Sequence, residues 1–438
     1  MGFLTFNLKM VAHHAVKRSA LFHRSMADII RFRHLPPEDQ RGDQLRLLER
    51  TLRMAAYVPH YAALAGMEID TDNPIEQLKA LPYVEKEQVR RSPGSFRTSV
   101  FSIGAHTSGT TGTPLRLRRS LNCIAREAAG FFAWHQACGW HAGEPLVVLR
   151  GDLVVPVDRV QPPFGVRDMA GNRLVLSSYH LSDANADWYL EAIRSSGARF
   201  LDAYPSSAYV LADVMRRHAE RPLGLAGVFL ASETVFDGQK TVIEQWIGPV
   251  HAQYGTAERV CWMTTCSAGC YHEDPQYGYT EYVPLGDGTF EIVATGFTNH
   301  AMPLLRYRTG DLAFAPFGWD YRCSCGMPGP GCAQIIGRTD DLFITASGRK
   351  IGRLDHVFKG IQHVIAAQIV QHEPGEAEVR IMRDAHYCPR DEEMIVERFR
   401  ARVGTDVVVR CTYLGHLPRT ASGKFHAVVS YCAHHKEE

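Results

Sequence analysis

The sequence predicts an α/β protein with a large N-terminal multi-sheet α/β domain and a small C-terminal α+β domain. Its 438 residues exceed the size at which a single hydrophobic core stops growing, so two unequal units are expected. Short Val- and Ile-rich runs bounded by Gly, Asp or Ser predict strands, and helical patterns alternate with them. A stretch rich in Cys, Gly and Pro at 323–332 precedes a new strand-and-helix pattern, which places the domain boundary near 337–341.

The individual elements follow in order along the chain. Residues 1–40 are expected to form a helical N-terminal extension, and leucines at helical spacing predict helices at 41–65 and 121–137. Further predicted elements of the large domain, 1–339, are strands at 146–150, 226–230 and 290–294 and helices at 186–196 and 206–218. The small domain, 340–438, is expected to contain a strand near Phe343, strands at 364–371, 377–382 and 406–413, and a helix at 391–403.

Composition excludes several classes of protein. With 45% hydrophobic and 22% charged residues and no apolar run near the roughly 20 residues of a membrane span, we expect no membrane partner. A net charge of +1 produces no overall field for nucleic acid. Polar residues at 13–18 interrupt any secretory signal, which favours a cytoplasmic protein whose eleven cysteines are thiols or metal ligands. The sequence indicates no oligomeric state.

The most informative segment is rich in glycine and hydroxyl residues and precedes an alternating segment at 115–119. It reads Thr107, Ser108, Gly109, Thr110, Thr111, Gly112, Thr113, Pro114. Its glycines permit tight turns, and its hydroxyl and N–H groups are suited to surround phosphate oxygens. No Gly-Lys-Ser/Thr ends the segment, so it is not a Walker A loop. An ordinary Ser/Thr/Gly turn is the alternative.

Four further motifs follow this segment in a fixed order. They are Tyr254-Gly255-Thr256-Ala257-Glu258, Tyr307-Arg308-Thr309-Gly310-Asp311, Gly337-Arg338-Thr339-Asp340-Asp341 and Pro418-Arg419-Thr420-Ala421-Ser422-Gly423-Lys424. With these motifs, residues 100–430 resemble the adenylate-forming superfamily of acyl-CoA ligases and adenylation domains. The short chain, the segment 352–359 and the terminal Gly423-Lys424-Phe425 resemble its phenylacetate-CoA ligase and CapK-like branch.

The resemblance implies an active site between a large domain and a small, mobile one, with Asp340 or Asp341 as the hinge. ATP and magnesium are the implied ligands. The implied nucleotide-binding residues are Thr107, Ser108, Gly109, Thr110, Thr111 and Gly112 at the phosphates, Ser232, Glu233, Tyr254 and Gly255 around the adenine, Asp311 at the ribose, and also Thr256 and Arg338. Glu258 is implied to hold Mg²⁺, and Lys424 to reach the α-phosphate and the attacking carboxylate. Such a reaction brings two anions together, so a metal and a cation must offset their charge.

One departure from the family pattern follows the phosphate segment. Many members carry a lysine there, whereas this chain has Leu115 with Arg116, Arg118 and Arg119 beyond it. Strand alternation places Arg116 and Arg118 on one face and Arg119 on the other, so only one set can face the nucleotide. Solvated surface charges are the alternative for all three.

Cysteines and a histidine form a second candidate site. Cys266 and His272 lie close in sequence, and Cys323 and Cys325 follow about fifty residues later. Thiolates and imidazole are the ligand set of a closed tetrahedral zinc site. The Cys-x-Cys-Gly turn resembles a zinc-stapled loop of some CapK-like enzymes, and these four residues are the predicted ligands of a structural Zn²⁺. Cys270 and Cys332 are alternative ligands, Cys261 is a more distant one, and packed, reduced thiols are the alternative interpretation.

The acyl pocket is expected between the phosphate segment and Glu258, where aromatic residues are concentrated. His135, Tyr204 and Pro205 are the candidate substrate-binding residues, and the surrounding aromatic residues indicate an aryl or otherwise apolar acid. Phe131 and Phe132 are better explained as core residues of a helix. A structural histidine is the alternative for His135.

Three functions are compatible with these patterns. The first is an ATP-dependent ligase that forms an acyl-AMP, releases pyrophosphate and passes the acyl group to CoA as a thioester. The second is an amide-forming ligase whose acceptor is an amine, such as an amino acid or amino sugar. The third, a nucleotide-binding protein without turnover, is disfavoured by the complete set Glu258, Asp311, Arg338 and Lys424.

Overall fold

The computed structural model of this chain describes the helices of the large domain and one helix near the C-terminus. It describes residues 15–16, 19–71, 73–106, 115–286, 288–338, 343–348, 350–351, 354–358, 361, 363–418, 425 and 428–432. The α-helices are α1 Ala20–Arg33, α2 Pro37–Ala55, α3 Pro74–Ala80, α4 Lys86–Arg91, α5 Leu121–Ala137, α6 Ala186–Ser195, α7 Pro205–Arg217, α8 Asp237–Trp246 and α9 Pro389–Val403. Ser19 and Ser120 cap α1 and α5, because their hydroxyls accept backbone N–H groups of the first turn.

Strands outnumber helices among the described residues. The strands are β1 Ser102–His106, β2 Arg116–Ser120, β3 Leu146–Arg150, β4 Gly165–Asp168, β5 Arg173–Ser177, β6 Phe200–Ala203, β7 Gly227–Ala231, β8 Val250–Gly255, β9 Trp262–Thr265, β10 Tyr271–Glu273, β11 Gly278–Pro284, β12 Thr289–Gly296, β13 Tyr307–Phe317, β14 Gly331–Arg338, β15 Phe343–Ile344, β16 Lys350–Ile351, β17 Val364–Gln371, β18 Glu376–Arg383, β19 Val408–Tyr413 and β20 Val428–Ser430.

One twelve-stranded sheet forms the centre of the large domain. Its strand order is β11-β12-β13-β14-β10-β9-β8-β7-β6-β3-β5-β4. The strands β5, β3, β6, β7 and β8 are parallel neighbours, whereas β8 to β14 and the outer strands pair antiparallel. The carboxyl ends of the parallel strands therefore lie along one edge, where open α/β sheets bind their ligands.

Both faces of the parallel strands are buried. Val147 and Leu149 pack with α6, α7 and α8 on one face, while Leu146 and Val148 pack with Trp134 of α5 on the other. This burial on both sides explains why these strands are continuous apolar runs rather than alternating ones. A third core joins α2 to the β1–β2 hairpin and to residues near 294–307.

The C-terminal residues form a separate four-stranded sheet in the order β19-β18-β17-β20, with its own apolar core around Phe343 and Phe399. The α/β class and the α+β pattern predicted for the tail are thus confirmed. Most predicted strands and helices are found within a few residues of their expected positions, and the helix at 121–137 matches α5. The helix predicted at 41–65 is wrong in its extent, because α2 ends at Ala55 and a short 3₁₀ helix at Pro59–Leu64 follows it. Of the predicted N-terminal extension, residues 1–14 and 17–18 lie outside the described residues. The boundary at 339/340 stays a prediction, since residues 339–342 lie outside the described residues. No helix in the described ranges is both long and apolar enough to cross a membrane.

Candidate active site

Asp311 lies at the centre of a hydrogen-bonded group of side chains on the twelve-stranded sheet. Its Oδ2 accepts a hydrogen bond of 2.7 Å from the hydroxyl of Tyr254, and its Oδ1 lies 3.2 Å from Nε of Arg338. Asp311 and Arg338 face each other directly across β13 and β14. Burial and the Asp311 charge raise the pKa of Tyr254 well above its ordinary value, so the phenol remains a donor. Two predicted nucleotide residues and one predicted adenine residue are therefore in contact.

Tyr254 and Asp311 meet although three strands separate β8 from β13 in the sheet order. In a flat sheet, four strand spacings of about 4.8 Å would hold the two strands about 19 Å apart. A hydrogen bond of 2.7 Å between their side chains therefore requires the sheet to coil back on itself at this edge.

Glu258 lies beside the Asp311 group and is 8% exposed. Its Oε1 accepts a hydrogen bond of 2.8 Å from the hydroxyl of Tyr307. Burial, together with the nearby Glu258 charge, raises the pKa of Tyr307, so this hydroxyl stays protonated. Within the described ranges, Glu258 has no other hydrogen-bond partner, and the buried hydroxyl of Thr256 has none at all. The site thus offers a carboxylate oxygen and a hydroxyl to a ligand.

Arginine side chains hold the segment that carries Glu258. Arg119 donates to the carbonyl oxygen of Ala257 at 2.7 Å, and its buried Nε has no partner among the described residues. Arg259 pairs with Glu127 of α5, which also accepts a hydrogen bond of 2.5 Å from the hydroxyl of Tyr277. Of the three arginines that follow the phosphate segment, Arg119 is thus the one placed beside Glu258.

Glu233 connects the large domain to the C-terminal segment. Its carboxylate accepts hydrogen bonds from the backbone N–H of Ser206 at 3.0 Å and from the hydroxyl of Ser206 at 3.2 Å, at the start of α7. It also accepts a hydrogen bond of 2.8 Å from the backbone N–H of Phe425. Ser232, next to it, has a φ of 75°, a left-handed conformation that few residues other than glycine adopt and that is concentrated at functional sites. The prediction that Ser232 and Glu233 line the adenine stays a prediction.

The candidate acyl-pocket residues Tyr204 and Pro205 lie where β6 ends and α7 begins. Nε of Arg150, at the carboxyl end of β3, donates to Asp202 at 2.8 Å. Burial and the charge of Asp152 raise the pKa of Tyr204. This part of the site is therefore more polar than the aromatic residues of the sequence indicate.

His135 is buried in a group of aromatic rings between α5 and the twelve-stranded sheet. Its ring stacks on Phe229 with centroids 3.9 Å apart, and Trp134 and Trp140 lie nearby. Phe131 packs edge-to-face on Trp262, as expected for a core residue. The assignment of His135 to the acyl pocket stays a prediction.

Several predicted site residues lie outside the described residues. These are Thr107, Ser108, Gly109, Thr110, Thr111 and Gly112, the hinge candidates Asp340 and Asp341, and Lys424. Their flanking strands and neighbours are described, so β1, β2, Arg338 and Phe425 mark where these segments join the structure.

The predicted zinc ligands are brought together by β10 and two adjacent loops, the turn after β9 and the loop between β13 and β14. Cys266, His272, Cys323 and Cys325 have their ligand atoms within 4.8 Å of one another. The two sulfur atoms of Cys266 and Cys323 are 3.8 Å apart, and Sγ of Cys325 lies 3.5 Å from Nε2 of His272. A tetrahedral ion with Zn–S bonds of about 2.3 Å and a Zn–N bond of about 2.0 Å separates its ligands by about these distances. Of the alternatives, Cys332 is fully buried in the core, whereas Cys270 lies beside Cys266 and Cys323.

A bound cation would stabilise the thiolate forms of these cysteines. A backbone N–H of Cys325 lowers the pKa of Cys323, while burial raises the pKa of Cys325 to about 12. Repulsion between neighbouring thiolates opposes the ionisation of Cys323 and Cys325 together. A metal ion removes this conflict by binding the deprotonated forms.

Tyr307, Arg150 and Asp202 are candidate site residues to which the sequence analysis assigned no role. Tyr307 lies in the same motif as Asp311, four residues before it, and this position could have indicated a role for Tyr307 in the site. Arg150 closes an apolar strand, and a charge at the carboxyl end of a buried strand was the signal for the Arg150–Asp202 pair.

The chain is similar to several known proteins. A family model described as the CapK C-terminal domain matches residues 343–431. The chain is 23% identical over 375 residues to the protein CapK of Staphylococcus aureus, with 82% of this chain and 81% of that protein covered. It is 25% identical over 466 aligned positions to phenylacetate-coenzyme A ligase of Thermus thermophilus, with 88% of this chain and 96% of that protein covered.

A solved structure shares the fold. The crystal structure of 2-hydroxyisobutyryl-CoA ligase in its postadenylation state superposes with a TM-score of 0.65 at 19% identity, and 91% of each chain is covered. The chain is thus similar over most of its length to CapK and to phenylacetate-coenzyme A ligase, and it shares the fold of 2-hydroxyisobutyryl-CoA ligase.

Proposed function

We propose that this protein is an ATP-dependent ligase that activates a carboxylic acid as an acyl-AMP and transfers the acyl group to CoA. The observation that carries the proposal is two neighbouring groups, Tyr254 with Asp311 and Arg338, and Tyr307 with Glu258. The charges of Asp311 and Arg338 act on Tyr307, so the two groups lie close together. Carboxylates, phenols and a guanidinium from three separate motifs meet at the edge where the parallel strands end. Such a group provides both polar contacts for a nucleotide and a free carboxylate oxygen for a metal.

In the first half-reaction, an oxygen of the substrate carboxylate forms a bond to the α-phosphorus of ATP. The bond from that phosphorus to the bridging oxygen of the β-phosphate breaks, and pyrophosphate leaves. In the second, the sulfur of CoA attacks the acyl carbon, the thiol proton is lost, and AMP departs with the electron pair of the cleaved C–O bond. Neither half-reaction changes an oxidation state, so the reaction needs no oxidant or reductant.

Glu258 fits a magnesium ligand. The carboxylate is nearly buried, Tyr307 orients one of its oxygens, and no partner in the described part of the chain occupies the other. A bound Mg²⁺ would supply positive charge to phosphate oxygens. Asp311 would accept the ribose hydroxyls while Arg338 holds its carboxylate in place. Lys424 directly precedes Phe425, whose backbone bonds to Glu233, and this supports its role at the reacting carboxylate.

Acid-dependent release of pyrophosphate tests the proposal. A panel of carboxylates is incubated with ATP and Mg²⁺, first alone and then with CoA or with amines. The panel includes acids with a polar or charged second group, because Arg150 and Asp202 lie beside Tyr204. Thioester formed from an acid that releases pyrophosphate supports the proposal. Formation of an amide without a thioester would show that the acceptor is an amine and not CoA. If no acid causes pyrophosphate release, the proposal is contradicted.

We further propose that Cys266, His272, Cys323 and Cys325 hold a structural Zn²⁺. The ion would join the β9–β10 hairpin to the loop between β13 and β14. Four protein ligands complete a tetrahedral shell, which leaves no open position for a substrate and favours a structural role over a catalytic one. The strand pairing of His272 with Gly331 brings the two segments together.

Metal removal is expected to destabilise the large domain. A Cys323→Ser variant should lose its zinc and unfold at a lower temperature, because binding of a structural metal contributes to folding. Cys270→Ser is the matched control, since this neighbouring thiol is not in the four-ligand set. Elemental analysis and thermal unfolding are the measurements. Protein purified without chelator that contains no zinc would contradict the site, and zinc lost only in Cys270→Ser would transfer a ligand role to Cys270.

The Tyr307→Phe variant tests whether the phenol positions Glu258. Loss of a hydrogen bond to a charged group costs about 1.5 kcal/mol, so adenylation should slow about tenfold. Tyr282→Phe is the matched control, since Tyr282 donates a hydrogen bond of 2.7 Å to Glu273 in the same sheet. Pyrophosphate release as a function of Mg²⁺ concentration is the measurement. Equal rates in the two variants would exclude a specific role for Tyr307.

A further inference from the structure

The turn that carries Glu258 has a backbone conformation that other parts of the fold must hold. A hydrogen bond of 3.1 Å from the backbone N–H of Arg259 to the carbonyl oxygen of Thr256 closes the turn. Arg259 has a φ of 64°, in the left-handed region, which is sterically unfavourable for a residue with a Cβ. Such a conformation persists only where the surrounding structure fixes it. Contacts elsewhere in the fold must therefore hold Arg259 and, with it, the turn.

Glu127 of α5 supplies one of these contacts. It is 8% exposed, and its Oε1 pairs with Nη1 of Arg259. Its Oε2 accepts a hydrogen bond of 2.5 Å from the hydroxyl of Tyr277, which is 1% exposed. Both carboxylate oxygens are thus engaged, and a buried charge of this kind is unfavourable unless its partners are present. The ion pair therefore ties the residue after Glu258 firmly to a helix.

A second contact comes from the same segment of chain. Arg119, at the end of β2, donates to the carbonyl oxygen of Ala257 at 2.7 Å. Ser120 follows it directly and caps the start of α5. The segment from Arg119 to Glu127 thus contacts the turn at two points, one residue before Glu258 and one residue after it.

Two glycines bring the sheet against the chain that leaves the turn. A Cβ at Gly296 of β12 would lie 2.7 Å from the carbonyl oxygen of Arg259, and one at Gly278 of β11 would lie 2.2 Å from that of Val260. Backbone segments approach this closely only where a side chain is missing. The sheet therefore fixes the exit of the turn, while the two arginine contacts act on the turn itself.

We propose that Arg259 is a positioning residue for adenylation, which acts through Glu127 to hold the Glu258 carboxylate where a metal ion can bind it. A partner that fixes a metal ligand in advance strengthens metal binding, because the ligand loses little freedom when the metal arrives. The proposal rests on the proposed function, since it requires Glu258 to bind the metal ion that accompanies ATP.

Variants of the ion pair separate positioning from general stability. Arg259→Gly keeps the left-handed backbone, which glycine adopts without strain, and removes the side chain. Glu127→Gln removes the charge of the partner at nearly constant size, and Arg259→Lys is the conservative variant that keeps a cation. Asp274→Asn is the matched control. Asp274 pairs with Arg126, the neighbour of Glu127 on α5, in a second ion pair that includes no residue of the turn.

Binding of the metal–nucleotide complex is measured without turnover. Mn²⁺ replaces Mg²⁺ as a paramagnetic probe, and α,β-methylene-ATP replaces ATP so that no pyrophosphate can leave. The relaxation rate of water protons then reports the affinity of each variant for the complex. Thermal unfolding of the same preparations reports their stability.

We expect Arg259→Gly and Glu127→Gln each to bind Mn²⁺–α,β-methylene-ATP at least about tenfold more weakly, as is typical when the partner of a metal ligand is lost. The two changes combined should be no worse than either alone, because they break one interaction. Arg259→Lys should retain most of the affinity. Asp274→Asn should bind as wild type even where it unfolds at a lower temperature.

An equal loss of affinity in Asp274→Asn, or wild-type affinity in Arg259→Gly, would overturn the positioning role. Absence of binding by the wild-type protein would overturn it as well. The Mn²⁺ titration needs no acid, whereas the ligase proposal is tested by pyrophosphate release on the acid panel. Failure of the one is therefore distinguishable from failure of the other.

Discussion

The Glu258→Gln variant is expected to lose acid-dependent pyrophosphate release by about three orders of magnitude, or about 4 kcal/mol of transition-state stabilisation. The amide keeps the size of the side chain and can still accept the hydrogen bond from Tyr307. It removes the negative charge that a Mg²⁺ ion requires, and the ion offsets the repulsion between the substrate carboxylate and the phosphates. Fold and site geometry should therefore persist while the first half-reaction fails.

The measurement is the rate of pyrophosphate release as a function of Mg²⁺ concentration. A metal-binding role predicts that high Mg²⁺ partly restores the variant, which a purely structural role would not produce. Glu244→Gln on the exposed surface of α8 is the control and should behave as wild type. Near-normal adenylation by Glu258→Gln at low Mg²⁺ would remove the assignment.

The Lys424→Ala variant is expected to separate the two half-reactions. We expect adenylation to fall by about 3 to 4 kcal/mol, or two to three orders of magnitude, by analogy with the loss of one preorganised electrostatic donor. Transfer from a supplied acyl-adenylate should be nearly unchanged, because the small domain is proposed to turn between the two steps. The hydrogen bond from Phe425 to Glu233 is the described contact that supports the first orientation.

Both half-reactions are measured on the same preparation, with CoA and then amines offered to the preformed adenylate. Arg390→Ala at the start of α9 is the control for loss of an exposed cation in the C-terminal segment. If both steps fall together while thermal unfolding is unchanged, the two-orientation proposal is wrong. If an amine and not CoA accepts the acyl group, the amide-forming function replaces the thioester.

Local patterns in the sequence were sufficient for most of the individual elements. The helix α5 begins at a serine cap and carries a long apolar pattern, so its ends were predicted accurately. The strands β3 and β7 are short apolar runs between polar residues, and their limits follow from that change. The four candidate zinc ligands lie close together in the structure, and the sequence could single them out because Cys and His are scarce and chemically distinctive. Their role in binding zinc stays a prediction.

The contacts inside the candidate site were decided by tertiary structure. Motif order indicated that Tyr254, Glu258, Asp311 and Arg338 belong to one site, yet it contained no information that Tyr254 bonds to Asp311 or that Tyr307 holds Glu258. Those bonds depend on the coiling of a twelve-stranded sheet, in which small twists between many neighbouring strands accumulate.

The sequence by itself determined the α/β class, the order of the elements and the chemical types available for adenylation, because these depend on local periodicity and on residue identity. Only the tertiary structure decided which of the three arginines reaches Ala257. Alternation along β2 separates Arg119 from Arg116 and Arg118, but the direction of each face depends on what the hairpin packs against. That packing joins residues far apart in the chain, and no local pattern records it.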